Sequence, residues 1–359
     1  MPRLSSADSR RRRRESELRR QAQALQHRAA TQLPHTHDAK PAQDAMPPDS
    51  LRGLVVLSRR DLSPHARQRL LYLTQHIARP RPLLAQIMRC PPGSRRLENL
   101  ISQDPACATQ LRDYLKAMEI ELNAGSEGIV RQAVAQLGSD WVTDIVIRNL
   151  IHQSIQVPDP ETAQAIEERW WTGFTASSLA ATLSRRFPEL AAVDPPMARH
   201  ALLLPLGEIM LLASFTELTP AFSGASTYAN RIRTTQQKVG FNPALLGAAL
   251  VQKWQIPEAL VDTLANAHTP LTTPFSASGI KDGRRFTLAY ICYRLAERIA
   301  RTRSNDLNRA YATLQASDEY YYLKEYLHGS DLADLPGLLT TSEASCALRS
   351  LTDHFPARI

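Results

Sequence analysis

A chain of 359 residues, 43% of them apolar, can bury a core of one large domain or two ordinary ones. Its net charge of +8 admits a nucleic acid or another anionic partner and says nothing about fold. The cysteines, Cys90, Cys107, Cys292 and Cys346, have neither C-x-x-C nor zinc-ligand spacing, which argues against a disulfide framework and a cysteine metal site. No apolar region follows the basic N-terminus as a signal peptide would require, and no segment reads as a membrane span, so a reducing cytoplasm is expected. Helix formers dominate and there are only 14 glycines, which predicts an all-α chain.

Residues 1–62 read as a disordered basic arm. Arg10, Arg11, Arg12, Arg13 and Arg14 form a run, and prolines recur at Pro34, Pro41, Pro47 and Pro48. Few large apolar side chains are present to offset the entropy of ordering. The arginine run could contact an anionic partner, although no aromatic residues are interleaved for base stacking.

Helical patterning begins at Ser63-Pro64, an N-cap followed by proline at the first helical position. Leu70, Leu71, Leu73 and Ile77 share a face up to the Pro80–Pro82 break, and Leu83–Met88 form a short second helix. Leu97, Leu100 and Ile101 follow, and then Asp104 and Pro105 cap and open a helix with Leu111, Tyr114, Leu115 and Met118 inward. Ser126 can cap the next helix (Ile129, Ala133, Leu137). Gly138 ends it, and Ser139 starts another that is too broadly apolar to read DNA.

One long helix is predicted from Glu161 to Phe187. The run Ala201–Leu212 is a buried core helix that Pro205 should start or kink. Tyr228–Val239 reads as a basic amphipathic helix whose Arg231, Arg233 and Lys238 could join the arm on an anionic partner. Pro243 and Pro257 start two more helices, the second running to His268. Leu271–Gly283 reads as a loop or linker, and Arg284–Arg303, Leu307–Ala316, Glu319–His328 and Ser342–Phe355 as helices. No internal repeat and no convincing strand is found.

Recognisable catalytic motifs are missing: there is no G-x-S-x-G, P-loop or H-E-x-x-H, and the His-Asp dipeptide His37-Asp38 lies in the arm. The segments LENLISQDP (97–105), EGIVRQAVAQLGSDWVTDIVI and VGFNPALLGAALVQKWQIPEALVDTLANAHTP resemble the blocks of HDOD domains, the HD-related output domains of bacterial signalling proteins. The motif positions are Asp104, Pro105, Gly138, Gly247, Trp254, Pro257 and His268. The resemblance implies an HD-superfamily-like helical bundle over residues 63–272, with 273–359 as a linker and C-terminal helical extension. It also implies that Leu204 and Pro205, aligned on Gly207, stand where HD phosphohydrolases place a metal-binding His-Asp pair.

The expectation is therefore a non-catalytic signal-transduction module that binds a protein partner and carries no metal or other cofactor. Two alternatives stand behind it. One is a metal-dependent phosphohydrolase or cyclic-nucleotide phosphodiesterase, and the other is a nucleic-acid-binding regulator using the basic arm.

Overall fold

The computed structural model describes residues 46–348 except 92, 118–127, 158, 223–225, 303, 342 and 347. The arginine run, Met118, the Ser126 cap and most of the last expected helix lie outside the described residues. Several helices begin where a short polar side chain takes up a free amide. Ser63 accepts from the amide of Ala66, Asp159 from that of Thr162 and Asn242 from that of Leu245. Proline occupies the first turn after each of these three caps.

The principal helices are α1 (Pro64–His76), α2 (Leu83–Met88), α3 (Arg95–Ser102), α4 (Pro105–Ala117), α5 (Ile129–Leu137), α6 (Ser139–His152), α7 (Pro160–Ser184), α8 (Met197–Leu203), α9 (Leu206–Ser214), α10 (Tyr228–Val239), α11 (Pro243–Lys253), α12 (Glu258–Ala265), α13 (Gly283–Thr302), α14 (Leu307–Gln315) and α15 (Tyr320–Gly329). No strand occurs among the described residues. The chain is all-α, as its composition indicates.

Two apolar cores share α7. Its first half contributes Ile166, Trp170 and Phe174 to a core built with α1–α6, α9, α11 and α12. Its second half contributes Leu179, Ala180 and Leu183 to a core built with α13, α14 and α15. At about 37 Å, a 25-residue helix is long enough to serve both. Helix α13 is buried almost all round from Phe286 to Ile299 and packs on α7 and α8, as a helix without a broad polar face must. The segment before α13 is held by Phe275, whose ring fits against Gly283 and Gly329, where any β-carbon would collide with it.

Residues 46–62, expected to belong to the basic arm, include side chains and backbone that pack against the helices. Leu51, Leu54 and Leu62 are buried. The Leu57 amide donates to Gln236 Oε1 at 2.9 Å, the Leu57 carbonyl accepts from Asn242 Nδ2 at 2.7 Å, and Arg233 donates to the Ser50 carbonyl. Polar side chains of α10 and the start of α11 thus satisfy an otherwise irregular backbone, which is what the proline-rich composition concealed.

The apolar stretch Met197–Ser214 has the length and hydropathy of a membrane-crossing helix, yet 89% of it is buried inside the protein. It is interrupted between Leu203 and Leu206, where Pro205 precedes α9, the break its proline predicts.

Candidate functional site

The Leu204-Pro205 break faces α7. At Gly173 a β-carbon would lie 2.8 Å from the Leu202 carbonyl oxygen and 3.4 Å from Pro205 Cγ. Leu204 is 7% exposed. One turn on, Gly207 meets α11 backbone to backbone: a β-carbon there would overlap the Pro243 carbonyl and lie 3.2 Å from the Gly247 amide. Gly207 and Gly247 are therefore brought together, and each is glycine because the two helices touch there.

His268 ends this region. The Ala244 amide donates to its Nε2 at 3.3 Å, so Nδ1 carries the proton and donates to the Tyr228 hydroxyl at 2.8 Å. That hydroxyl donates in turn to the Ala267 carbonyl at 3.2 Å. Burial, followed by the nearby Arg231 and Arg294, pushes the His268 pKa down to about 3, so the ring is neutral. Its nitrogens are committed to the fold. His200 is also fully buried, with Nδ1 2.7 Å from Thr263 Oγ1, and burial holds its pKa near 3.

The charged groups behind this region are the main feature absent from the sequence-based expectation. Glu208 on α9, Arg169 on α7, Arg231 on α10 and Arg294 and Glu297 on α13 are all buried. Arg231 Nη1 lies 2.6 Å from Glu297 Oε1, and its Nε lies 3.4 Å from Glu208 Oε1. Arg169 Nη1 is 3.6 Å from both carboxylates. Arg294 bonds Glu297 and grips Glu319 with distances of 2.9 and 3.1 Å, and Arg298 and Arg301 close the outer end. Burial opposes ionisation of Glu297, but Arg231, Arg294, Arg169 and Arg301 hold its carboxyl well below the usual range. Burial likewise opposes the charge of Arg231, and Glu208 and Glu297 overcome it.

This placement corrects the expectation for Arg231, which is wholly buried and paired and so cannot contact a partner. Arg233 is half-buried and committed to Ser50 and Asn230, whereas Lys238 is exposed. The remaining motif residues are built into helix caps, turns and the core. Asp104 caps α4 through the Cys107 amide at 2.9 Å and pairs with Arg81 at 2.6 Å, with Pro105 in the first turn. Gly138 turns between α5 and α6 at φ 84°, in the left-handed region glycine permits. Trp254 is buried, and Pro257 precedes α12.

Among the described residues no three His, Cys, Asp or Glu side chains group so as to hold a metal ion. The donor chemistry agrees: Glu208 and Glu297 already face guanidinium groups, and a divalent cation would have to displace them. A cleft of about 330 Å³ lies between α12 and the start of α13, with Glu258, Asp262 and Lys281 on its walls and Asp282 paired to Arg285.

These features define an all-α bundle organised around a glycine–glycine helix contact and a buried arginine–glutamate network. The HDOD domain pattern matches residues 91–270, and the chain belongs to the HDOD domain family. The crystal structure of an HDOD domain protein of unknown function from Geobacter sulfurreducens superposes with a TM-score of 0.50 at 15% identity, covering 81% of this chain and 99% of that one. A candidate signal-transduction protein of Marinobacter aquaeolei VT8 gives a TM-score of 0.48 at 16% identity, covering 81% of this chain and 69% of that one. An uncharacterized protein of Treponema pallidum (strain Nichols) is 26% identical over 173 residues, 47% of this chain and 32% of the relative. The chain thus matches about a third of that curated relative's length.

Proposed function

We propose that the chain is a non-catalytic regulatory module of bacterial signal transduction, cytoplasmic and acting through contacts with a protein partner. One observation carries this reading. By the HD resemblance Leu204 and Pro205 align with a His-Asp pair, and Pro205 packs close to Gly173. Hydrocarbon there supplies no ligand and no general base, and His268 is spent on Tyr228 and the Ala244 amide. Guanidinium groups neutralise the nearby carboxylates. With chemistry removed from the core, the family scaffold has its surfaces left to work with. Membership of the HDOD family supports a regulatory role.

Elemental analysis of the purified full chain, combined with an assay on a generic phosphodiester, tests this reading. The expected result is manganese, iron and zinc all far below stoichiometric, no hydrolysis when any of them is added, and a defined protein co-purifying from the native cell. Stoichiometric metal with metal-dependent hydrolysis would overturn it and establish the phosphohydrolase alternative.

A further inference from the structure

Beyond the arginine run of the arm, a second short segment is strongly basic. Residues 47–96 contain ten arginines, no lysine and only two acidic residues, so this stretch alone carries a net charge of +8, equal to that of the whole chain. Much of it lies along α1 and the turns after it, beside the C-terminal ends of α10 and α11. Arg69 donates to the carbonyls of Lys238 and Val239 at 3.2 and 3.1 Å. Arg79 donates to Gln255 Oε1 at 2.6 Å and Arg89 to the Gln255 carbonyl at 3.1 Å. The Lys253 ammonium is held by the carbonyls of Thr74, Gln75 and Ile77, and that of Lys238 by the Glu217 carbonyl.

Each of these cations is fixed by a neutral oxygen. Their positions are set, while their full charge remains available to an external anion. This contrasts with the interior, where every arginine of the Glu297 network faces a carboxylate. Tyr72, three positions after Arg69 on α1, is 57% exposed, while Leu71 points to the other flank of the helix and is 52% exposed, outside the apolar face expected to include it. Tyr72 is backed by the His76 ring, 3.8 Å away and nearly parallel. An aromatic ring steadied from one side and flanked by fixed cations is a platform for an unpaired base.

We infer that the outward face of α1, with the adjoining ends of α10 and α11, binds single-stranded nucleic acid. Arg69, Arg79, Arg89 and Lys238 face the phosphates and Tyr72 takes a base, while Lys253, its three donors spent on the carbonyls of Thr74, Gln75 and Ile77, fixes the end of α1. The 13-residue helix gives the strand a track of about 20 Å. A duplex fits less well, because its bases are not free to stack on Tyr72. This inference stands apart from the regulatory reading above and does not use residues 1–45.

The test is fluorescence anisotropy of the full chain with labelled oligothymidine and oligouridine of about 20 nucleotides, longer than the roughly 4–16 a single-strand site covers, at salt concentrations from about 50 to 200 mM. Wild type should bind with an affinity that falls steeply with salt. The double variant Arg79→Ala/Arg89→Ala should lower the log–log salt slope by about 1.4, near 0.7 for each lost phosphate contact. Tyr72→Ala should weaken binding roughly ten-fold while leaving that slope unchanged. All three side chains are exposed, so an unfolding midpoint matching that of wild type serves as the check that the variants fold. Four results would each overturn the inference: no salt-dependent binding by wild type, variants indistinguishable from it, duplex bound as tightly as single strand, or anionic phospholipid vesicles competing equally.

Discussion

Glu297 faces four guanidinium groups with its side chain 3% exposed, so its charge is the pivot of the interior. Replacing it with glutamine keeps the shape and removes the charge, leaving Arg231 and Arg294 buried without sufficient compensation. Glu297→Gln should cost about 3–5 kcal/mol of stability by urea unfolding, the usual penalty for breaking a buried pair from one side. Glu258→Gln on the exposed cleft wall should change stability by less than about 0.5 kcal/mol. Equal effects from the two would show that the Glu297 network is solvated. Part of this network was legible in the sequence. Arg231 lies on the stripe Tyr228, Arg231, Ile232, Thr235, Val239 that α10 buries, and Glu208 sits inside an apolar run. A charge on an apolar stripe signals a buried partner. Which partner was not legible, because Arg231 reaches Glu208 across 23 positions and Glu297 across 66, separations over which helical periodicity carries no information.

Helices α9 and α11 approach as closely as they do because Gly207 lies against Pro243 and Gly247. The two glycines are not equally constrained. A β-carbon on Gly207 would overlap the Pro243 backbone, which cannot move without shifting a helix, whereas one on Gly247 would stay 3.1 Å from Leu264 Cδ2 and 3.2 Å from the Gly207 amide, contacts that a small adjustment relieves. Gly207→Ala should therefore destabilise by about 3 kcal/mol or more, and Gly247→Ala by about 1–2 kcal/mol, in thermal or urea unfolding. The reverse order would mean that the helices separate freely at this crossing. Elements governed by local rules were legible: the caps at Ser63 and Asp104, the helix start at Pro243, the Pro205 break, and the apolar faces of α4 and α6. The double role of α7 was not. Its buried residues lie all round the helix, and that pattern does not say that one end serves a different core from the other. The stretch 50–57 was hidden for the opposite reason. It has no periodicity of its own and is ordered by side chains nearly 180 positions away.

Across the whole molecule, buried ionisable groups tie stability to pH, and their signs differ. His200 and His268 are neutral in the folded state, with pKa values lowered by burial from 6.5 to about 3. As pH falls below 6.5 the unfolded chain takes up protons that the folded chain refuses, so each histidine removes about 1.4 kcal/mol of stability per pH unit on the way down to about 3. Glu297 and Glu319 act in the same direction lower down. Burial opposes their ionisation, but the surrounding arginines hold both below 4.5, and the stability they contribute is lost as pH falls through the folded values. Asp144 acts the other way. Burial raises its carboxyl well above 3.8, outweighing the hydrogen bond from Ser177, and the folded state gains a proton there before the unfolded chain does, offsetting part of the histidine loss. The wild-type slope is thus a sum, and a variant is needed to isolate one member. His268→Gln should cost about 1–3 kcal/mol at pH 7, where the Tyr228 and Ala244 hydrogen bonds are disturbed. Between about pH 6 and 4 its stability should fall with a slope smaller than wild type by about 1.4 kcal/mol per pH unit. Denaturant unfolding across that range measures both quantities. An unchanged slope would show that His268 titrates normally in the folded chain and is not held between Tyr228 and Ala244.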